Sequence, residues 1–506
     1  MSARIVLFVH GWSVRNTDTY GGLPDRLRSE AKRDPTLGLD VRELWLGEYI
    51  SFHNEVGIPD IARAFDAALA RELGSRLQAG ARIACITHST GGPVVREWLQ
   101  RFHPRGDAPL SHLVMLAPAN FGSALAQLGH SRLARLRTMF EGVEPGFGVL
   151  DWLELGSRQN LALNLAGLGG RAAGTLPFVL IGSSIDRALY DHVNAYTGEP
   201  GSDGVVRAAS ANLNFGHLVL TQEPARAVKP SRAGKGEAAP TAIGGRVVRA
   251  TDASASQLTA GTLRRRRGVP FALLEGRSHS GPERGVMRSV RDDGRPHPTV
   301  DAILECLRVA DRRGHAELAA RFARRNAEVA ARQQVETHPV GPFVREYLHD
   351  PCAMLVFRVR DEQGAPVKDF EIVLTAGADS PDALPPGFFI DRQRNRADPG
   401  TITYYVNAAK LLGAKAVAHD GRTLRPALAG ADSLGLRVVP YPQDGFVHFL
   451  PCALPASGAN LAAWVRPYET TVIDVVLRRV VREGVFRLTR ERTPEDFTRA
   501  PPGPPI

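Results

Sequence analysis

Cysteine is scarce in this chain of 506 residues, and its cysteines are widely spaced. A disulfide framework or a structural zinc site requires cysteines at close, recurring spacings, and no Cys-x-x-Cys pair occurs. The acidic residues near predicted turns also lack the spacing of a calcium loop. The sequence therefore predicts free, buried thiols, and we expect neither a metal nor an organic cofactor. The four cysteines are Cys85, Cys306, Cys352 and Cys452.

Long apolar segments are also missing. No apolar run reaches the roughly 18 residues that a bilayer-spanning helix needs. Residues 1–4 lead directly into a strand-like run at 5–9 and lack the basic start, long apolar stretch and small-residue cleavage site of a secretory signal. We therefore expect a cytoplasmic protein, or one exported without a cleavable signal peptide.

Acidic residues are outnumbered by basic ones, so the formal net charge is +10. Much of the excess lies between about 226 and 295 and includes the arginines at 264–267. Such a patch suits anionic lipid headgroups or nucleic acid, or it forms a solvated basic loop without a ligand. Because no aromatic residues are interleaved with the arginines, no nucleic-acid partner is expected. Contact with a membrane surface, through this patch or through a C-terminal domain, remains open.

Short β-branched runs alternate with amphipathic helical stretches over the first two thirds of the chain. The runs are nearly continuous in apolar residues, as expected for strands of a parallel sheet covered on both faces. The alternation predicts an α/β fold with a doubly wound, mostly parallel sheet, whose strands direct their carboxyl ends to one edge. The predicted strands are 5–9, 40–46, 82–87, 110–116, 177–182 and 269–274.

The chain is longer than one hydrophobic core usually supports, so at least two domains are expected. The α/β pattern predicts a first domain over 1–338, with an apolar helical lid inserted at about 124–175. A flexible excursion rich in Pro, Gly, Ala and Ser is predicted at about 222–263. Short alternating strands separated by Gly and Pro turns predict an all-β, sandwich-like domain over 345–493. The proline-rich segment 494–506 is expected to be a disordered tail.

The segment 87–91, Thr-His-Ser-Thr-Gly, joins a predicted strand to a predicted helix and resembles a nucleophile elbow. Such a turn exposes its central side chain in a strained conformation, beside the free N–H groups of the helix start. Ser89 is therefore the predicted catalytic nucleophile, and Gly91 is expected to allow close approach of helix and strand. Thr87 stands where the usual motif has glycine, so an ordinary strand-to-helix loop is the alternative.

A histidine and a glycine, His10 and Gly11, follow the first predicted strand. Lipases and esterases carry such a pair at this point, and the next backbone N–H faces the nucleophile. The backbone N–H groups of Trp12 and Thr90 are thus predicted to form an oxyanion hole for the charge that develops when Ser89 attacks an ester. His10 and Gly11 would support that loop.

The acid and base of a catalytic triad are expected later in the chain, because α/β-hydrolases run in the order Ser, then Asp or Glu, then His. Asp203 lies in a Ser-Asp-Gly-Val-Val turn before an apolar run and is the predicted acid, with Asp186 as the fallback. His279 follows the last predicted strand and is the predicted base. Asp203 would hold the ring of His279, which takes the proton of Ser89 and returns it to the leaving group.

Together these motifs resemble the lipase and phospholipase branch of the α/β-hydrolases, over roughly residues 4–335. Segment 116–123 looks like the family's Thr-Pro-x-x-Gly-Ser turn, with Ala117 in place of Thr, and 153–157 resembles part of the same lipases' cap. Segment 20–24 and the following helix are similar to signal-less bacterial lipases and phospholipases, including some delivered by contractile secretion systems. The resemblance implies a cap that covers the active site and often carries the acyl pocket.

These motifs favour a serine hydrolase that cleaves carboxylic esters of lipids through an acyl-enzyme. The apolar insert at 124–175 indicates an acyl substrate, because such a lid excludes water from an apolar site. The alternative for this insert is a pair of helices that only covers the sheet. A thioesterase or amidase would use the same triad. A catalytically inactive lipid- or partner-binding protein on a hydrolase fold is the second alternative, since fold does not imply function.

Overall fold

The structure, a computed structural model, describes residues 4–9, 20–43, 55–127, 146–169, 174–185, 199–224, 241–243, 246–248, 256–332, 335–340, 343–417, 421–427 and 429–481.

The strands of the first part of the chain are β1 (Arg4–Val9), β2 (Leu39–Glu43), β3 (Ile83–His88), β4 (Leu110–Leu116), β5 (Leu176–Gly182), β6 (Phe215–Gln222), β7 (Thr241–Ile243), β8 (Arg246–Val248), β9 (Leu258–Ala260), β10 (Arg264–Arg266) and β11 (Phe271–Leu274). The later strands are β12 (Val335–Val340), β13 (Phe343–Leu348), β14 (Cys352–Asp361), β15 (Phe370–Thr375), β16 (Phe389–Arg394), β17 (Thr401–Asn407), β18 (Ala416–Val417), β19 (Thr423–Arg425), β20 (Leu434–Pro440), β21 (Val447–His448), β22 (Cys452–Ser457), β23 (Thr470–Leu477) and β24 (Val480–Val481). The α-helices are α1 (Leu23–Arg33), α2 (Ile58–Gln78), α3 (Gly91–Phe102), α4 (Phe147–Leu153), α5 (Arg158–Ala166), α6 (Ala208–Ala211), α7 (Pro298–Leu307), α8 (Arg312–Arg332), α9 (Ala408–Leu411) and α10 (Gly458–Trp464).

The first sheet is parallel throughout. Within the described residues it has six strands in the order β2-β1-β3-β4-β5-β11, and each neighbouring pair runs in the same direction. Each of the predicted strands overlaps one of these. The central strand β3 is buried along its whole length, which explains why its sequence is apolar rather than alternating. The doubly wound, mostly parallel sheet is therefore confirmed, and the carboxyl ends of its strands meet at one edge.

A second sheet joins strands from distant parts of the chain, in the order β10-β6-β23-β14-β17-β16, with β9 beside β6. The pairs β6–β23 and β23–β14 are parallel, and the other pairs are antiparallel. A smaller antiparallel sheet, β15-β20-β22, shares an apolar core with it that includes Phe357, Leu436 and Trp464. These sheets confirm an all-β C-terminal region, with two parallel pairings that a side-chain pattern does not reveal.

Three strands of the second sheet lie within the range 1–338 predicted for the first domain, and one of them, β9, lies inside the predicted flexible excursion at 222–263. They are β6, β9 and β10, and β6 pairs along its length with β23. The division of the chain into two separate domains, 1–338 and 345–493, stays a prediction. The hydrogen-bonded sheet nevertheless continues across them, because β6 pairs with β23 and not with a strand of the parallel sheet.

A shared apolar core lies where the two main sheets meet. Its side chains come from the loop after β4, from α5, from β6 and from the C-terminal strands. Representative members are Phe121, Leu161, Phe215, Met354 and Val472. A polar contact accompanies them, since the Asn395 side chain donates to the Leu155 carbonyl at 3.1 Å. The second sheet consequently packs directly on the region of the predicted lid.

The four cysteines are free and buried, as the sequence predicts. Burial raises the pKa of the thiols of Cys85 and Cys352, so both are protonated near neutral pH and are poor nucleophiles. In the part of the chain that the structure describes, no helix has the length and apolar character to cross a membrane. The same part contains no cluster of His, Cys, Asp and Glu that could hold a metal ion.

Candidate active site

Ser89 lies in the tight turn between β3 and α3, at the carboxyl edge of the parallel sheet. Its backbone adopts the left-handed conformation, with φ of 51°, which costs about 1 kcal/mol or more in a residue other than glycine. The turn is held in place by β4, because the N–H of Ser89 donates to the Leu116 carbonyl at 3.0 Å. A strained serine between a strand and a helix is the backbone arrangement of a nucleophile elbow.

Helix α3 begins two residues after Ser89. Thr90 is its N-cap residue and Gly91 is its first residue, and both are buried. At the next glycine, Gly92, a Cβ would lie 3.0 Å from the Cβ of Pro118. The N-terminus of α3, with its positive partial charge, lies beside Ser89, and the N–H of Gly92 donates to the Ser89 carbonyl at 3.3 Å.

Thr87 occupies the position where the usual motif has glycine. Its side chain is fully buried, and its Oγ1 has no hydrogen-bond partner among the described residues. Strand β3 still pairs regularly at this point, with Thr87 opposite Val9 on one side and Met115 on the other. The threonine is therefore accommodated in the strand, and the turn at Ser89 forms without the first glycine.

Asp203 and His279 form a second part of the site. The Nδ1 atom of His279 lies 2.9 Å from Oδ2 of Asp203, and both side chains are buried. The other carboxylate oxygen, Oδ1, accepts the backbone N–H groups of Val205 at 3.0 Å and Val206 at 2.8 Å. These bonds orient the carboxylate, so its free oxygen faces the imidazole ring. The predicted acid and the predicted base are thus in direct contact.

The loop that carries His279 crosses the end of β5. At Gly182 a Cβ would lie 2.1 Å from the carbonyl oxygen of Arg277, so only glycine leaves room for the loop. The same carbonyl accepts the N–H of Ser184 at 3.0 Å, and the N–H of His279 donates to the backbone oxygen of Asp203 at 2.9 Å. A backbone hydrogen bond therefore links the loops of the base and the acid in addition to the contact between their side chains.

His88, directly before Ser89, is a residue that sequence analysis did not single out. Its ring centroid lies 4.8 Å from that of His279, and its Nε2 lies 3.2 Å from the His279 carbonyl oxygen. The ring is buried. His88 thus links the elbow to the His279 loop and restricts the movement of the His279 ring. The signal in the sequence was its position within the motif 87–91.

A narrow, mainly apolar pocket lies beside Ser89. Its volume is about 20 Å³, little more than the roughly 10–15 Å³ that a single water needs. A group much larger than a water would therefore need more space than these side chains leave beside Ser89. The predicted lid contributes two leucines through α4, while its residues 128–145 and 170–173 lie outside the described residues. The lining comprises Ser89, Thr90, Ala119, Ser123, Ala126, Leu150, Leu153, Val205 and Val206.

Four of the predicted site residues lie outside the described residues. They are His10, Gly11 and Trp12 of the predicted oxyanion loop, and the fallback acid Asp186. Their roles remain predictions. Thr90, the second predicted oxyanion donor, is described and lies at the start of α3.

The arginines at 264–267 do not form a solvated loop. Three of them make up β10, which pairs with β6. Arg265 reaches Glu469, with 3.2 Å between its Nη1 and the carboxylate, and burial lowers the pKa of Arg266 to about 10. Arg264 and Arg267 are exposed. Half of this basic run is therefore used inside the fold and is not presented to a ligand.

Comparison with solved structures finds a match over nearly the whole chain. The phospholipase PlaB from Legionella pneumophila is 38% identical in sequence and has a TM-score of 0.81, and the match covers 98% of this chain and 98% of that one. The structure of the same phospholipase in complex with thio-NAD matches with the same values. The chain belongs to the lipase and phospholipase branch of the α/β-hydrolases.

Membership of this family confirms the predicted resemblance and the predicted class of enzyme, a carboxylic ester hydrolase. A lipase from Bacillus licheniformis, BlEst2 in its mature form, is 18% identical and matches 42% of this chain and 80% of its own. Its TM-score of 0.31 is too low to add to the conclusion. No protein-family model matches the chain, and no curated protein matches it either.

Proposed function

We propose that this chain is a serine hydrolase that cleaves carboxylic esters of lipids through an acyl-enzyme. The observation that carries the proposal is the buried 2.9 Å contact between Asp203 and His279, beside the strained turn at Ser89. A serine hydroxyl is a weak nucleophile until a base removes its proton, and a buried carboxylate orients that base and stabilises its charged form. Ser89 is accordingly the nucleophile, His279 the general base and Asp203 the acid.

The reaction has two halves. In the first, Nε2 of His279 accepts the proton of Ser89 as its Oγ bonds to the ester carbonyl carbon. The backbone N–H groups of Thr90 and Trp12 are the proposed donors to the oxyanion. The bond to the alcohol then breaks, and the alcohol leaves with the proton from His279. In the second half, His279 deprotonates a water that attacks acyl-Ser89, which releases the carboxylic acid and restores the serine.

The lining of the pocket favours an acyl chain as the part of the substrate that enters it. Apolar side chains beside Ser89 come from α4 and from the turn that contains Asp203, namely Leu150, Leu153, Val205 and Val206. Burial of methylene groups there is favourable by about 0.8 kcal/mol for each group. A small polar acid would gain nothing from these contacts. The pocket thus supports lipids over short polar esters.

A panel of defined substrates tests the proposed function. The full chain is incubated with phospholipids, triglycerides, a long-chain acyl thioester, an N-acyl amide and a soluble short-chain ester, and the products are identified by mass. We expect free fatty acid from ester-linked lipids. Cleavage of only the thioester or only the amide would instead identify the protein as a thioesterase or an amidase. No product from any substrate, together with no labelling by a fluorophosphonate probe, would instead support a lipid- or partner-binding protein.

We also propose that the C-terminal region contacts the lipid surface. Phe389 is 39% exposed and Leu412 is 49% exposed. Phe389 begins β16 opposite Val406 of β17, and α9, which follows β17, leads directly to Leu412. Lys410 lies on the same helix, against Gly387. Apolar side chains next to a cation suit a membrane with anionic headgroups.

Replacing Phe389 and Leu412 together by serine is expected to lower hydrolysis of phosphatidylcholine–phosphatidylglycerol vesicles by about tenfold, because part of the inserted apolar area is lost. Hydrolysis of a soluble short-chain ester should stay unchanged. Co-sedimentation with the vesicles measures binding directly. Deleting residues 345–506 is a poorer test, since it would remove β14 and β23 and so take away the parallel partner of β6.

A matched control lies at the other end of the C-terminal region. Phe446 and Val481 are also exposed, at 45% and 48%, and they are neighbours because Val447 pairs with Val481. Their double replacement by serine should leave vesicle hydrolysis and binding at the level of the unmodified protein. An equal loss in both double variants, or no loss in the first, would contradict contact through Phe389 and Leu412.

A further inference from the structure

The carboxylate of Asp203 lies at the tip of a short turn, here termed the acid turn (199–208). Ser202 and Arg207 form an antiparallel bridge across it. The N–H of Ala208 donates to the Gly201 carbonyl at 2.8 Å, and the N–H of Asp203 donates to the Val206 carbonyl at 3.2 Å. The tip is thus a closed structure that moves with its two ends, and the position of Asp203 depends on what holds those ends.

Tyr405, on β17 of the second sheet, holds the first end of the acid turn. Its hydroxyl donates to the Pro200 carbonyl at 2.7 Å and lies 3.2 Å from the Gly201 carbonyl. Gly201 has a φ of 68°, and a Cβ there would lie 2.9 Å from the Tyr405 hydroxyl. The Tyr405 side chain is fully buried. The backbone of the acid turn at Gly201 therefore packs directly against the Tyr405 hydroxyl.

Arg207 forms the second end, and the same sheet holds it. Its guanidinium makes two hydrogen bonds to Glu199, of 2.8 and 2.7 Å, and its Nη2 also donates to Asp391 of β16 at 2.6 Å. The guanidinium carbon lies 4.1 Å from the ring centre of Tyr405. Arg207 is 2% exposed. Removing one of its acidic partners would leave part of a buried charge uncompensated, which is destabilising.

The tip of the acid turn contacts the other half of the molecule. The hydroxyl of Ser123, in the loop after β4, donates to the Val205 carbonyl at 2.7 Å, and the N–H of His279 donates to Asp203. The acid turn is accordingly held from both sides. The parallel sheet provides the nucleophile and the base, and the second sheet fixes the two ends of the turn that carries the acid.

We propose that Tyr405 and Asp391 are positioning residues for Asp203, so that the second sheet is part of the support of the active site. The proposal rests on the proposed function. Neither residue touches the reacting atoms, and both act through the acid turn. Loss of either contact lets the carboxylate move relative to His279, which weakens the orientation of the base. Misplacement of a catalytic group by about 1 Å can reduce a rate by about 100-fold.

Tyr405→Phe tests this inference, with Tyr404→Phe as a matched control. Tyr404 is the adjacent residue on β17, is buried, and donates to the Ile372 carbonyl at 2.7 Å inside the C-terminal core. Both variants therefore lose one buried hydroxyl hydrogen bond. On a soluble short-chain ester, Tyr405→Phe is expected to lower kcat by about tenfold with KM changed less than about twofold. Tyr404→Phe should keep both constants.

A spectroscopic measurement separates positioning from general destabilisation. The proton shared between His279 Nδ1 and Asp203 gives a far-downfield signal in proton NMR. This signal should weaken or shift in Tyr405→Phe and stay unchanged in Tyr404→Phe. Equal kcat values and equal signals in the two variants would overturn the inference. If the unmodified protein shows the signal but cleaves no ester, the proposed function fails while the contact stands.

Asp391→Asn provides a second variant in case Tyr405→Phe does not fold. It removes one charge from Arg207 and leaves the pairing with Glu199. Its control is Asp474→Asn, because Asp474 pairs with Arg358 and His217 within the same sheet and away from the acid turn. We expect a fall in kcat of about fivefold to tenfold for Asp391→Asn alone. A similar fall in both variants would overturn the role of Asp391.

Discussion

Replacing Ser89 by alanine is expected to lower kcat on a soluble ester by about 10⁴-fold or more, because no other group can form the acyl-enzyme. KM should change little, since the hydroxyl is a small part of the contact with substrate. Labelling by a fluorophosphonate probe should disappear at the same time. Activity and labelling are measured on the same preparation, with thermal unfolding as the check on folding.

Two further variants sharpen the Ser89 test. Ser111→Ala removes a serine hydroxyl on β4 that donates to the Ile83 carbonyl, and it should keep full activity and labelling. Ser89→Gly should be as inactive as Ser89→Ala but more stable by about 1 kcal/mol, because glycine adopts a φ of 51° without strain. Retained labelling in Ser89→Ala would move the nucleophile to another serine.

The parallel sheet and the order of the site residues were predictable from local sequence. Strands such as β3 are apolar throughout because they are buried on both faces, so each run identifies its own strand. Parallel strands bring the segments after them to one edge, and this places Ser89 near the loop of His279 without knowledge of side-chain positions. Asp203 was predicted as the acid from the Ser-Asp-Gly-Val-Val turn that contains it. The predicted contact between Asp203 and His279 is what the structure contains.

The second sheet could not be predicted in this form, because strand partners are chosen by contacts far apart in the sequence. Nothing in the pattern of β6 indicates that it pairs with β23 rather than with β5. The arginines of β10 illustrate the same limit. The sequence alone suggests that Arg265 is a solvated charge. In the structure it pairs with Glu469, which lies about 200 positions later in the chain. The support of the acid turn by Tyr405 depends on these strand pairings, so it could not be predicted from the sequence either.

The residues of the site that sequence analysis missed act through packing rather than through a motif. His88 contacts His279 only because β3 and the loop after β11 converge at the edge of the sheet. Gly182 is required only because that loop crosses the end of β5. The apolar lining from α4 was expected as a lid, but its narrowness beside Ser89 is a property of the packed structure.

Asp203→Asn is expected to lower kcat by about 10⁴-fold with little change in fold. The backbone N–H groups of Val205 and Val206 both donate to Oδ1 of Asp203, and an asparagine there must keep its oxygen facing these donors. Its NH₂ group then faces Nδ1 of His279, which has to accept a hydrogen bond. The ring proton moves to Nε2, and Nε2 can no longer accept the proton of Ser89.

Further variants at Asp203 and Asp186 distinguish a positioned acid from a nearby negative charge. Asp203→Glu keeps the charge but lengthens the side chain in a fully buried position, and it should recover only part of the loss. Asp186→Asn, at the fallback acid, should keep kcat within about twofold if Asp203 is the acid, as the contact with His279 indicates. The reverse result, with activity lost in Asp186→Asn and retained in Asp203→Asn, would assign the acid to Asp186. Rates on a soluble ester, with unfolding temperatures for each variant, decide between the two residues.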